Sequence, residues 1–249
     1  MTKEESWLLK EKYFGEKTEG FFTDCARLTS GEPLAYIIGT IPFLDTTIHL
    51  DSRPLIPRVE TEFWVAHAIS EIQDTHGPHK KLSILDLCAG SGCIGVAVAK
   101  HILNANVDFV EIDTAHHKTI EKNIRTQHID HERTQVIGGN LFEHVTKTYD
   151  YIFSNPPYIN HILYRTEQSV TRYEPHQALF GGQDGMECIE LIIQHAFLYI
   201  SHNGVLYLEH EPEQVDSITK RAVQYNLYSE TRNDQYNEPR YTRFTRINT

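Results

Sequence analysis

Short apolar runs alternate with longer amphipathic ones over most of the chain beyond Leu82. The runs LSILDL (82–87), VDFVEI (107–112), TQVIGG (134–139), YDYIFS (149–154) and GVLYLE (204–209) have the length and β-branched, aromatic content of buried strands. Between them, GCIGVAVAKHI (92–102), residues 114–125 and MECIELIIQHAFLYI (186–200) carry helical patterns. Strand–helix alternation of this kind predicts an α/β fold with a parallel, doubly wound sheet. Two further strands, near 229–233 and 241–247, flank a turn at Asn237, Glu238 and Pro239 and predict an antiparallel hairpin at one edge of the sheet. Within the third helical run, Leu191, Ile192, Ile193, Phe197 and Leu198 read as core.

The first eighty residues follow another pattern. Trp7, Leu8, Leu9, Tyr13 and Phe14 predict a helix, and a second runs from Thr18 to Leu28, stopped by Ser30 and Gly31. LAYIIGTIPFLDTTIHL (34–50) is rich in strand formers broken at Gly39 and predicts a β-hairpin. Pro54 and Pro57 lead into a helix holding Phe63, Trp64, Val65, Ala68 and Ile69, and residues 75–81 form a loop. The expected division is a short helical segment (1–30), a hairpin with a connecting helix (31–81) and the α/β domain (82–249).

Composition narrows the function. With 249 residues, the chain is long enough for one large α/β domain with an appendage. Its 23 basic and 34 acidic side chains give a net charge of −11, which argues against a protein that tracks a nucleic-acid backbone. Cys25, Cys88, Cys93 and Cys188 have no paired spacing, as expected in a reducing compartment. The opening MTKEESWLLKEKYF signals neither export nor organelle import, and no stretch approaches the ~18 apolar residues of a membrane span, so a cytoplasmic protein is expected.

Two motifs carry chemistry. In ILDLCAGSGCIG (84–95) a strand ends near Asp86, Gly90 and Gly92 allow a sharp turn, and a helix N-terminus offers free N–H groups. Gly90, Gly92 and Gly95 have the spacing of a dinucleotide fingerprint, and Glu111 ends the next strand, where an acid suits a ribose diol. The loop alone leaves NAD and S-adenosylmethionine both open. Asp86 favours the second, because an acid there opposes a pyrophosphate and attracts the ammonium of a methionine moiety. The second motif is Asn155-Pro156-Pro157-Tyr158, directly after an apolar strand. Its rigid corner offers carbonyls and the Asn155 amide oxygen as acceptors for a planar nitrogen, with the Tyr158 ring as a wall.

Together DLCAGSGCIG and SNPPY resemble class I S-adenosylmethionine methyltransferases that act on planar nitrogens. GEPLAYIIG (31–39), LIPRVETE (55–62), RYEPHQALFGGQDGM (172–186) and LYLEH (206–210) make the chain similar to the HemK/PrmC family. That family methylates the glutamine side-chain amide in the Gly-Gly-Gln loop of class 1 peptide-chain release factors. The resemblance implies a Rossmann-like fold, S-adenosylmethionine as cofactor and no metal. It also implies a release factor as protein partner, with no stable nucleic acid or membrane partner and a monomeric enzyme. It further implies that Asp86 binds the cofactor together with Cys88, Ala89, Gly90, Ser91 and Gly92, the last five lining its methionine part. Glu111 takes the ribose, where the family usually has Asp, and Asn140 and Leu141 flank the adenine. Asn155, Pro156, Pro157 and Tyr158 hold the substrate glutamine, with Asn155 also binding the cofactor and with Asn155, Pro156 and Tyr158 as the catalytic set. The chain departs from the family pattern at Val59, usually proline, at Glu211, usually glycine, and in having about 30 residues before GEPLAYIIG.

Rival readings are a ribosomal-protein glutamine methyltransferase, a methyltransferase for amino groups of nucleic-acid bases, an NAD oxidoreductase and a non-catalytic binding module. Surface solvation explains His116, His117, His128 and His131 better than a metal does. His210 is either a base or a structural hydrogen-bonder, with the structural role favoured. Arg240, Arg243 and Arg246 are expected along one side of the last strand, as a solvated edge or as a contact with the release factor or ribosomal RNA.

Overall fold

The computed structural model describes residues 1–77, 79–161 and 168–247. Two helices open the chain, α1 (Lys3–Glu11) and α2 (Glu19–Thr29). Thr2 and Glu5 close a reciprocal cap on the first, and the Thr18 hydroxyl caps the second. There follow α3 (Leu34–Ile38), β1 (Thr40–Phe43), β2 (Thr46–His49) and α4 (Val59–Thr75). The alternating region holds β3 (Leu82–Leu87), α5 (Cys93–His101), β4 (Ala105–Glu111), α6 (Thr114–Thr126), β5 (Thr134–Gly138) and β6 (Tyr149–Ser154). It continues with α7 (Gln168–Tyr173), α8 (His176–Leu179), α9 (Glu187–Tyr199), β7 (Ile200–Glu209), α10 (Val215–Gln224), β8 (Leu227–Asn233) and β9 (Pro239–Arg246). Among the described residues no helix is long and apolar enough to cross a membrane.

Residues 34–38 are the first correction: they form a helical turn and not the opening arm of a hairpin. Pro33 at the N-cap and Gly39 in the left-handed region at φ +90° bracket these five residues, and this punctuation overrides their β propensity. The hairpin is confined to β1 and β2, whose turn places Leu44 and Asp45 at positive φ.

The main sheet has seven strands in the order β5-β4-β3-β6-β7-β9-β8. The pairs from β5 to β7 are parallel, and β9 runs antiparallel to both β7 and β8. This is the expected doubly wound sheet with an antiparallel edge. After β3 the chain builds outward through β4 and β5, then returns to lay β6 on the other side of β3. The β3/β6 boundary is therefore the topological switch point, where such sheets open a crevice beyond their carboxyl ends.

A core layer covers each face. One joins the sheet to α4, α5, α6 and the β1–β2 hairpin; the other joins it to α9 and α10. A separate small cluster of Leu8, Phe21 and Ile37 holds the N-terminal helices together. On α9, Ile189, Ile192, Ile193 and Ala196 are buried. Leu191 and Leu198 are instead exposed, at 43% and 63%, because the helical repeat turns them away from the sheet. The arginines of β9 do not share a side either, since strand residues three apart face opposite ways. Arg243 reaches Glu71 of α4 at 3.1 Å, whereas Arg246 donates to the Phe197 and Ile200 carbonyls at the end of α9. Residues 215–224, unassigned from the sequence, form α10, which buries only Ile218 and Ala222 and so leaves a thin apolar pattern.

Candidate active site

Both chemical motifs leave the sheet side by side. Leu87 pairs with Ser154 at the ends of β3 and β6, and the Ser154 hydroxyl donates to the Leu87 carbonyl at 2.9 Å. The glycine loop after β3 turns through positive φ at Cys88, Gly90 and Gly92. At Gly95 a Cβ would strike the Phe109 ring and come within 2.9 Å of Asp86 Oδ2, so only glycine lets α5 lie this close to the sheet.

Asp86 lies under this loop and outside the cavity wall. Its Oδ2 accepts the Gly95 N–H at 2.8 Å, while Oδ1 is buried without a hydrogen-bond partner. Desolvation, reinforced by the Glu111 charge, pushes its carboxyl up to about 8. In that state the carboxyl keeps its proton at neutral pH, and only a cation brought close to it would favour the ionised form.

Glu111, at the end of β4, accepts the Gly90 N–H at 2.7 Å through Oε2 and the Asp113 N–H at 2.8 Å through Oε1. A carboxylate has further lone pairs beyond these two bonds, so the side chain can still receive a diol. It faces a cavity of about 160 Å³ bounded by Cys88, Ala89, Gly90, Ser91, Asn140, Leu141, Asn155 and Pro157. Gly92 is not in that wall; it is the left-handed N-cap of α5 at φ +76°. Backbone N–H groups, a carboxylate and an apolar side at Leu141 and Ile112 together fit a nucleoside-bearing group with a cationic tail.

Asn155 also borders a second, wider cavity of about 710 Å³, whose wall includes Pro156, Tyr158, Leu55, Arg58 and Glu209. Asn155 thus stands at the junction of the two spaces. Its Nδ2 donates to Thr61 Oγ1 of α4 at 3.2 Å, and that hydroxyl donates to Glu209 Oε2 at 2.7 Å. Glu209, at the end of β7, also receives the Trp64 N–H at 2.6 Å and the Tyr158 hydroxyl at 2.8 Å. Burial raises its carboxyl above the usual range while these three donors oppose the shift. The sequence marked LIPRVETE and LYLEH as motifs without giving Thr61, Trp64 or Glu209 a task.

The RYEPHQALFGGQDGM segment braces the same corner. Glu174 accepts the Ile56 N–H at 2.9 Å and pairs with Arg58 at 2.6 Å, fixing the segment that leads into α4. Gln214 donates to the carbonyls of Tyr158 and Gly185 at 3.0 and 3.1 Å. Any Cβ at Gly181 or Gly185 would collide with the carbonyl oxygen of Pro157 or Tyr158, so these glycines permit close backbone approach. The departure at Val59 is exposed at the start of α4, whereas Glu211 stands on the rim of the wider cavity, 3.6 Å from Arg240.

His116, expected on the solvated surface, is instead buried and borders the small cavity, because α6 turns it inward. His210 is fully buried; its Nδ1 donates to the Glu211 carbonyl at 2.9 Å and its Nε2 accepts from Thr242 at 2.8 Å. Burial pushes it down to about 4, so it is a neutral pin between β7 and β9. His116 bonds Ser52, and His117 donates to the Glu111 carbonyl.

The glycine loop and the NPPY corner, meeting at the switch point of a seven-stranded sheet with an antiparallel edge, define a class I methyltransferase. The methyltransferase small domain model matches residues 69–173, and a methyltransferase from Pyrococcus furiosus superposes with a TM-score of 0.60 at 15% identity, over 91% of this chain and 99% of that one. Sequence relatives narrow the class. The release factor glutamine methyltransferase of Francisella tularensis subsp. tularensis is 35% identical over 202 residues, spanning 81% of this chain and 69% of its own length. That of Buchnera aphidicola subsp. Schizaphis graminum is 32% identical over 221 residues, spanning 89% and 76%. The chain belongs to the release factor glutamine methyltransferase family.

Proposed function

We propose that the protein methylates the side-chain amide nitrogen of the glutamine in the Gly-Gly-Gln motif of a class 1 release factor, with S-adenosylmethionine as donor, in the cytoplasm. The placing of Asn155 at the junction of a small cavity on the glycine loop and a wider one open to a peptide carries this reading. When bound, S-adenosylmethionine supplies a sulfonium methyl that reacts with a nucleophile approaching in line.

The chain's own residues bind and orient. Cys88, Ala89, Gly90 and Ser91 take the methionine end, with Gly92 as the turn into α5 and Asp86 bracing the loop from below; Glu111 takes the ribose, and Asn140 and Leu141 the adenine. An amide nitrogen is a poor nucleophile because its lone pair is delocalised into the carbonyl. Asn155 Oδ1 and the Pro156 carbonyl accept its two N–H hydrogens, turn the nitrogen toward the small cavity and stabilise positive charge growing there; once the nitrogen is methylated its N–H is strongly acidic, and one proton leaves to solvent through the wider cavity. Tyr158 walls the glutamine. Positioning of this kind supplies ~7–11 kcal/mol of barrier reduction, enough to be the main part of the catalysis.

The net charge of −11 disfavours a nucleic-acid base as substrate. Mass spectrometry of a release factor incubated with the enzyme and S-adenosylmethionine tests the assignment. One added methyl on the Gly-Gly-Gln glutamine is the expected result. An unmodified peptide, with methylation of a ribosomal protein instead, would overturn it.

A further inference from the structure

The Asn155 side-chain amide has two ends of nearly equal size and shape, and only the oxygen end can accept an N–H from a substrate amide. Its orientation is therefore a functional variable that the residue does not set by itself. We propose that Thr61 and Glu209 are positioning residues that fix which end of the Asn155 amide faces the substrate; the inference rests on the reading of Asn155 as the acceptor for the glutamine.

The direction of the hydrogen bonds carries the argument. Glu209 is 1% exposed and is met by three donors, from Thr61, Trp64 and Tyr158. The Trp64 N–H can only donate, and it shares Oε2 with the Thr61 hydroxyl, so that oxygen is held as an acceptor. A hydroxyl has one proton, and that of Thr61 is committed to Glu209. Toward Asn155 it presents only lone pairs. Asn155 must turn its Nδ2 to Thr61, as the 3.2 Å contact shows, and this leaves Oδ1 for the cavity. The reversed amide would set two acceptors against each other beside a side chain, Thr61, that is itself 1% exposed. Thr61 and Glu209 border the two cavities, and the role assigned to them is exerted through the Asn155 amide.

A double-mutant cycle tests the assignment. Thr61→Val keeps the shape and removes both hydroxyl functions; Thr61→Ser keeps them. With wild-type enzyme, release factor and S-adenosylmethionine as reference, Thr61→Val is expected to lower kcat about tenfold or more. The release-factor KM and the affinity for S-adenosylhomocysteine stay within about twofold. Thr61→Ser should recover most of kcat, and in an Asn155→Ala background Thr61→Val should cause no further loss. Glu209→Gln, which adds an N–H able to turn the Thr61 proton toward Asn155, should show the same kcat-selective loss, and it replaces Thr61→Val if that variant does not fold. Wild-type kcat in Thr61→Val, failure of Thr61→Ser to recover, or an undiminished further loss in the Asn155→Ala background would each overturn the positioning role. Absence of methylation by the wild-type enzyme would refute the functional reading instead, so the two failures are distinct.

Discussion

Asp86 carries an electrostatic tension that its place in the sequence only hinted at. Its unpartnered Oδ1 and a carboxyl pushed up to about 8 mean that the folded chain holds a proton the unfolded chain releases above 3.8. The stability from this group is complete below 3.8 and is lost as pH rises toward 8, with a slope of up to about 1.4 kcal/mol per pH unit. His210 works in the opposite sense: its folded value of about 4 lies below 6.5, so its share is present above 6.5 and lost as pH falls toward 4. Urea unfolding of wild type and Asp86→Asn between pH 6.5 and 8 separates the two, because only the wild type should weaken steadily over that interval. Asn155 gives a kinetic prediction. Asn155→Ala should bind S-adenosylhomocysteine as wild type does and lose about 100-fold or more in kcat, as removal of an oriented polar group does elsewhere. Isothermal titration and a methyl-transfer assay read the two halves, and wild-type turnover would remove Asn155 from the catalytic set.

At the scale of elements, the working parts are strand ends. Asp86, Glu111, Asn155 and Glu209 stand at or just past the carboxyl ends of β3, β4, β6 and β7, four strands adjacent in the sheet. The segment between α8 and α9 presses on the corner after β6, and Gly185 is where its backbone meets that corner most closely. It combines φ +78° with a close approach to the Tyr158 carbonyl. Gly185→Ala should destabilise by about 1–3 kcal/mol and weaken methyl transfer with it, read by thermal denaturation and assay. Helix α3 marks where local reading failed: residues 34–38 have strand formers, yet Pro33 and Gly39 close a single helical turn around them. The strands of the main sheet were legible because runs such as YDYIFS are buried on both faces, and double burial writes itself as a continuous apolar run. Helix α10 and the sides taken by the arginines of β9 were not. Their placement depends on what packs beside them.

The whole molecule brings two cavities together across Asn155, one on the glycine loop and a wider one beside the NPPY corner. A ligand that binds only the folded chain raises its stability, by about 2.7 kcal/mol at a hundredfold excess over Kd. S-adenosylhomocysteine should therefore raise the melting temperature, whereas NAD should not; the reverse would return the glycine loop to a dinucleotide. The sequence by itself determined the strand–helix alternation, the two motifs and the candidate cofactor residues, because periodicity, glycine and proline act locally. It determined neither the pairing of Leu87 with Ser154, which sets the motifs side by side, nor the chain of bonds from Asn155 through Thr61 to Glu209. Thr61 and Glu209 lie 148 residues apart and meet only because α4 covers the end of β7. A hydrogen bond needs its partners within about 3 Å, a condition that no local pattern encodes and that the packed sheet alone supplies.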